Sequence, residues 1–307
     1  MQLLVHTPAF DVDAAREMAG ELFGITATAR ALPSERDQNF LLTNNVGEKF
    51  VLKIANALES RELLEAQNAM LDHLANHVAV TPRVRQTLSG ELIGTRADHL
   101  VRLVTYLPGV PLAEIAPHSP ELLHDLGSKL GQMDRALADF DHRAVHRDFH
   151  WDLANGNRII DEYSGLVAER ELVRKCRVEF KTDLRRSVIH GDANDYNILI
   201  EADRVSGLID FGDIVYSWTI GNLAVALAYV VLGKDDPLSA ARHVIDGYAQ
   251  EFPLYDEEFD VLWKLVRLRL AMSVCLATEQ LRQRPENDYL KISQRAIKET
   301  LPKLWTL

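Results

Sequence analysis

Apolar residues recur at helical spacing along much of this chain, interrupted by short alternating stretches that read as strands. Residues 11–23 predict a helix with Asp11 as its N-cap. Residues 39–43 (NFLLT) and 49–55 (KFVLKIA) predict two strands joined by a turn at Asn44-Asn45-Val46-Gly47. In the second strand Phe50, Leu52 and Ile54 share one face, and Val51, Lys53 and Ala55 share the other. A helix over 58–75 carries the stripe Leu63, Leu64, Met70, Leu71 and Leu74, with Gln67 inside it. Glu65 lies about 200° from Gln67 around that axis and faces outward. Pro82 breaks the pattern, a strand follows at 83–88, and another at 99–106 (HLVRLVTY) ends in Leu107-Pro108-Gly109. Beyond residue 108 the spacing turns helical, over 119–139, 166–186, 219–232, 238–251, 256–284 and 292–300, with one strand-rich block at 187–211. The expectation is an α+β chain: a small unit at 1–107 with an antiparallel sheet and one main helix, then a larger, mostly helical unit at 108–307.

Composition narrows the function classes. The 307 residues are 47% hydrophobic and 26% charged, the profile of an ordinary globular protein. The formal net charge of −11 argues against a sequence-independent nucleic-acid binder, which needs a basic face, and is compatible with a cationic small substrate. Two cysteines, Cys176 and Cys275, make neither a disulfide framework nor a cysteine zinc site, which points to a reducing, cytoplasmic setting. The first twenty residues lack the basic and apolar segments of a secretion signal. The longest apolar run, Leu223 to Leu232, is about half a bilayer span and reads as a buried helix, so no membrane partner is expected. Internal repeats and Gly/Ser linkers are absent from the sequence.

The chemistry concentrates in Ser187-Val188-Ile189-His190-Gly191-Asp192-Ala193-Asn194-Asp195-Tyr196-Asn197-Ile198-Leu199-Ile200 and the following strand ending Asp210-Phe211-Gly212. Asn197 stands five residues after Asp192 and Asp210 eighteen after it, so a loop entering a hairpin can bring all three to one end. Asn197 and Asp210 offer hard oxygens suited to Mg²⁺. Asp192 can accept a hydroxyl proton or orient that hydroxyl for in-line attack. The string His146-Arg147-Asp148 resembles a protein-kinase catalytic loop, yet Leu153 stands five residues on and Leu166 eighteen on, neither able to bind a metal.

The His-Gly-Asp segment, Asn197 and Asp210 resemble the aminoglycoside phosphotransferase/choline kinase-like superfamily over about residues 30 to 230. Local stretches are similar to its hydroxylysine kinase group: Glu35-Arg36-Asp37-Gln38-Asn39-Phe40, Val51-Leu52-Lys53-Ile54, Gln67-Asn68, Trp151-Asp152-Leu153 and Ile209-Asp210-Phe211-Gly212-Asp213. The resemblance implies a two-lobed protein-kinase-like fold and a small-molecule kinase. Its co-substrate would be ATP or GTP with Mg²⁺, since the hydroxylysine kinase group is associated with GTP. Lys53 is then the candidate for the α/β-phosphates, with Val51 covering the base. Gln67 stands in phase where kinases hold that lysine with a glutamate. No GxGxxG is present, and backbone N–H groups with Ser34, Arg36 or Asn39 would cover the phosphates instead. By position the Thr105 carbonyl and the Leu107 amide would meet the purine.

The same resemblance brings the Trp151 region near the acceptor. Trp151 would stack on an alkyl chain and Asp152 pair with an amine, or Trp151 packs in the core beside an Asp152 N-cap. Asp195 and Asp213 join the acceptor-side candidates, Asp213 with the alternatives of assisting the metal or capping the next helix. The expected acceptor is a hydroxyl on an amino acid or amino alcohol, hydroxylysine-like first. Homoserine, choline or ethanolamine and aminoglycosides are alternatives within the same chemistry. A non-catalytic nucleotide-binding pseudokinase is the alternative of another class, supported only by Gln67 in place of Glu. A third alternative is that the chain forms the kinase module of a longer fusion.

Overall fold

The computed structural model describes residues 7–34, 36–179, 183–283 and 293–305. Glu35, residues 180–182 within the helix expected at 166–186, and residues 284 and 292 at the edges of those expected at 256–284 and 292–300 lie outside this set. The chain divides into two units, one of residues 1–108 with 142–144, the other of 109–141 with 145–307.

In the first unit α1 (Val12–Phe23) is capped by Asp11, whose carboxylate accepts the Ala14 amide at 2.8 Å. Gly24 ends it in the left-handed region at φ 67°. The buried face of α1, Ala15, Met18, Ala19 and Phe23, packs on a sheet core of Phe40, Leu42, Phe50, Leu52, Ile54, Val101 and Leu103. That sheet consists of β1 (Ala27–Leu32), β2 (Gln38–Asn44) and β3 (Lys49–Ile54), then β4 (Val84–Arg85), β5 (Gly94–Arg96) and β6 (His99–Thr105). It is antiparallel in the order β1-β2-β3-β6-β4, with β5 also on β6. Between β3 and β4 runs α2 (Arg61–Leu74), which buries Leu63, Leu64, Gln67, Met70, Leu71 and Leu74 and leaves Glu65 exposed.

Periodicity does not announce β1, because this edge strand buries only Ala27 and so lacks alternation. The strand expected at 83–88 shrinks to two residues. Thr87 leaves the sheet to close a turn, its hydroxyl accepting the Glu91 amide at 3.1 Å.

The second unit starts with β7 (Val110–Pro111), followed by α3 (Pro120–Ala136), α4 (Gly156–Tyr163) and α5 (Arg170–Lys175). The long helix expected at 166–186 is not formed: α5 stops at Lys175 and β8 (Arg186–Ile189) follows. The cause is Asn157, whose amide accepts the Val178 N–H at 2.9 Å and donates to its carbonyl at 2.7 Å, holding that backbone out of a helix. Strands β9 (Ile198–Glu201) and β10 (Arg204–Leu208) form a hairpin, with β7 on the other side of β9. Ala202 and Asp203 make its tight turn at φ 49° and 59°, and Ser206 bulges out of the ladder. β11 (Val215–Trp218), a strand that the sequence pattern does not predict, pairs with β8.

Helices α6 (Ile220–Val230), α7 (Pro237–Glu251), α8 (Asp256–Gln283) and α9 (Gln294–Thr300) complete the unit. α6 is buried almost all round, as its apolar run demands. Helices α3 and α7 approach so closely that a Cβ on Gly127 or Gly247 would run into the backbone of the other helix. Among the described residues no helix is long and apolar enough to cross a membrane.

Candidate active site

The loop between β8 and β9 is built around His190, which is buried. Its Nδ1 accepts the Asp192 amide at 3.2 Å and its Nε2 donates to the Ile209 carbonyl at 3.0 Å. A backbone N–H can only donate and a carbonyl only accept, so the ring is the neutral Nε2–H tautomer. Burial lowers its pKa and keeps it so. This one ring ties the residue at 192 to the residue preceding Asp210. Gly191 takes φ 79°, and a Cβ there would stand 2.7 Å from the Asp213 carbonyl oxygen, so the turn demands glycine.

Asp192 is held at both oxygens. Its Oδ2 accepts the side-chain amides of Asn194 and Asn197, each at 2.9 Å, and its Oδ1 accepts Arg269 Nη2 at 2.7 Å. Burial pushes the carboxyl up to about 7 against the pull of Arg269, and the nearby Asp213 and Asp210 push the same way. Asn194 also accepts the Tyr196 and Asn197 amides on its Oδ1, which shapes the start of β9. Asn197 spends its Nδ2 on the Asp192 carbonyl and carboxylate, both at 2.9 Å, which turns its Oδ1 away from Asp192. Asp210 follows β10 at φ 62°, exposed, with the Gly212 amide 3.4 Å from its Oδ1. The second unit therefore gathers Asp192, Asn197 and Asp210 around one loop, with one carboxylate clamped and two hard oxygen donors beside it. A clamped carboxylate of this kind can take a hydroxyl proton.

Other candidates find definite partners. Trp151 is half-buried against Phe149, Ile189 and Val215, with the Arg269 guanidinium 4.5 Å from its ring centroid. Asp152 caps the following turn, accepting the Ala154 amide at 2.9 Å and the Ser217 hydroxyl, while burial raises its pKa. Asp213 does not cap α6, which begins at Ile220 after Thr219; it closes the short turn Phe211–Asp213 and is buried there. Asp195 is half-buried, and desolvation lifts its carboxyl to about 6. In the kinase-like string at 146–148, Asp148 pairs with Arg158. Arg147 instead donates to the Gly212 carbonyl at 3.1 Å and the Ile214 carbonyl at 3.2 Å, bracing the loop that carries Asp210.

In the first unit Lys53 sits on β3 directly opposite Asn39 on β2 and Arg102 on β6, with Val51 on the same half-buried face. Ser34 is exposed, and Arg36 gives its carbonyl to the Asn56 side chain at 3.3 Å. Asn39 Oδ1 is buried with no hydrogen-bond partner among the described residues. Thr105 ends β6, its amide and hydroxyl both tied to Arg83, and Leu107 lies just beyond. Gln67 points as its helical phase requires, but the partner seen is Arg102, at 2.5 Å, with Asn68 taking the same guanidinium at 2.9 Å.

Sequence reasoning missed Arg102 and Arg269. Each is an arginine inside an apolar stretch (HLVRLVTY, LVRLRLAM), and a buried cation of that kind has to have partners. Among the described residues no three His, Cys, Asp or Glu side chains cluster as a metal site. The Asn197 and Asp210 donor set does not require such a cluster, because Mg²⁺ is commonly held by few protein oxygens plus phosphate.

Residues 28–258 match the model of the phosphotransferase enzyme family. The chain belongs to that family. It is 33% identical to hydroxylysine kinase of Xenopus laevis, over 94% of this chain and 88% of that one. It is 28% identical to homoserine kinase of Zymomonas mobilis, over 77% of each. Its fold is shared with amicoumacin kinase, solved with AMP-PNP, Ca²⁺ and Ami, at TM-score 0.72 and 18% identity over 96% and 94% of the two chains. The fold class is protein-kinase-like, and this phosphotransferase is a small-molecule kinase with a hydroxyl acceptor.

Proposed function

We propose that this phosphotransferase moves the γ-phosphoryl group of ATP or GTP to a hydroxyl of an amino acid or amino alcohol, with a hydroxylysine-like acceptor first. The observation that carries the reading is the Asp192 carboxylate, clamped by Arg269, Asn194 and Asn197 beside Asp210. Asp192 would orient the acceptor hydroxyl and take its proton. Lys53 would steady the α/β-phosphates, with Val51 beside the base and Ser34, Arg36 and Asn39 near the triphosphate. Phosphoryl transfer is mostly positioning and charge neutralisation, so this small set of groups suffices.

The Asn197 Oδ1 and the exposed Asp210 carboxylate fit Mg²⁺, as hard oxygens outside the clamp on Asp192. When bound, that ion would draw negative charge off the phosphates. The acceptor assignment rests on the 33% identity to a hydroxylysine kinase, and the 28% identity to a homoserine kinase keeps homoserine as the second reading. Both cysteines are free and buried, in keeping with a cytoplasmic enzyme.

The test is a panel of 5-hydroxylysine, homoserine, ethanolamine, choline and an aminoglycoside, each with ATP and with GTP, read by product mass. A phosphorylated 5-hydroxylysine at the highest kcat/KM is expected. Preference for another member replaces the acceptor, and no phosphorylated product from any of them removes the reading.

A further inference from the structure

Arg269 lies mid-way along α8 among Leu265, Val266, Leu268, Leu270 and Met272, and is 2% exposed. A guanidinium cannot shed its proton, so in such surroundings it must be held by acceptors and ring faces. Its Nη2 donates to Asp192 Oδ1 at 2.7 Å and its Nη1 to the Trp151 carbonyl at 3.2 Å. The cation rests 4.5 Å from the Trp151 ring centroid and 5.9 Å from that of Tyr229. It is therefore fixed from the backbone, from two rings and from its own helix, and it transmits that fixity to one oxygen of Asp192.

The consequence follows from counting lone pairs. A carboxylate offers about four acceptor positions, two per oxygen. Oδ2 of Asp192 already receives two donors and Oδ1 receives one. Among the described residues the remaining position is on Oδ1. We propose that Arg269 is a positioning residue for phosphoryl transfer, holding Asp192 so that the acceptor hydroxyl docks on the open side of Oδ1, next to the guanidinium. The inference rests on Asp192 being the group that receives the acceptor proton. In the step, the acceptor oxygen forms its bond to the γ-phosphorus while the bond from that phosphorus to the β-bridging oxygen breaks. The electron pair leaves with the nucleoside diphosphate, and the hydroxyl proton passes to Oδ1. Arg269 touches neither the acceptor oxygen nor the phosphorus; it sets where Oδ1 stands.

The experiment compares wild type, Arg269→Lys, Arg269→Met, Asp192→Asn and the doubles of each Arg269 variant with Asp192→Asn. Turnover is measured with the best acceptor, nucleotide affinity with a fluorescent nucleotide analogue, and folding by circular dichroism and thermal melting. Arg269→Met is expected to lower kcat about 100-fold with nucleotide affinity within about twofold of wild type, the scale of a small misplacement of a reacting group. Arg269→Lys, which keeps the charge but cannot span the Trp151 carbonyl and Asp192 together, is expected to recover about tenfold of that loss. In the Asp192→Asn background neither Arg269 change should lower the residual turnover further, because groups acting as one unit are not additive.

The inference is overturned by wild-type turnover in both Arg269 variants. It is equally overturned by a loss of the same factor whether residue 192 is Asp or Asn. Should Arg269→Met fail to fold, the Arg269→Lys variant and its double with Asp192→Asn decide between the same two outcomes. Normal turnover in Asp192→Asn would instead remove the reading of Asp192 itself, a separate result.

Discussion

Asn197 donates from a single amide nitrogen to both the backbone carbonyl and the Oδ2 of Asp192, at 2.9 Å each. The residue proposed to face the metal thus also fixes the residue proposed to face the acceptor. Replacing Asn197 with Ala should therefore raise the Mg²⁺ concentration needed for half-maximal turnover and lower kcat at saturating Mg²⁺ by at least about tenfold. A magnesium titration of the variant checks this. A shift in the Mg²⁺ requirement with full recovery of kcat would show that the clamp on Asp192 is dispensable.

Arg147 braces the loop that carries Asp210 through the Gly212 and Ile214 carbonyls, with its guanidinium 4.2 Å from the Phe149 ring centroid. Arg147→Met should loosen the loop that carries Asp210. We expect the Mg²⁺ concentration for half-maximal activity to rise about tenfold, with an unchanged KM for the acceptor. The two constants, measured side by side, separate a metal-loop effect from general damage.

In the first unit the buried Arg102 holds the side chains of Gln67 and Asn68. Arg102→Met leaves two buried amides without that donor and should cost about 2–4 kcal/mol of stability. Gln67→Glu converts a neutral acceptor into a charged one at the same guanidinium and should raise stability by about 1 kcal/mol. Denaturant unfolding reads both, and opposite signs for the two variants are the expected result.

Asp134 on α3 is fully buried, accepting the Asn222 amide at 2.7 Å and the Tyr248 hydroxyl at 2.6 Å. Burial lifts its pKa from 3.8 to about 7, and those two hydrogen bonds oppose the rise. Between these values the unfolded chain releases a proton that the folded one keeps. Stability from this residue is thus fully present below about pH 4, falls as pH rises toward about 7 and is level above. The loss amounts to about 4 kcal/mol. Asp134→Asn should flatten this part of the profile, as seen in urea unfolding at about pH 5 and about pH 8. An unaltered difference between the two pH values would assign the dependence elsewhere.

Much of the site is legible in the chain because its polar residues cluster locally. Asp192, Asn197 and Asp210 lie within one loop and one hairpin, so spacing and chemistry suffice to group them. The β2–β3 hairpin and the phase of Gln67 are equally local, set by alternation and helical period. Arg269 reaches Asp192 across 77 residues of sequence, and Arg102 reaches Gln67 across 35. Only packing brings these together, and the sole signal in the chain is a cation in an apolar stretch. The helix expected up to residue 186 is cut short for a related reason, since Asn157 captures the Val178 backbone from 21 residues away.

The β9–β10 hairpin, with its two-residue turn at Ala202 and Asp203 and its single bulge at Ser206, works as a caliper. One jaw ends in Asn197 and the other leads into Asp210, and the Ile209 amide, donating to the Asn197 carbonyl at 2.9 Å, holds the opening. An inserted or deleted residue within either paired strand, by slipping the register, would part Asn197 from Asp210 without touching either side chain.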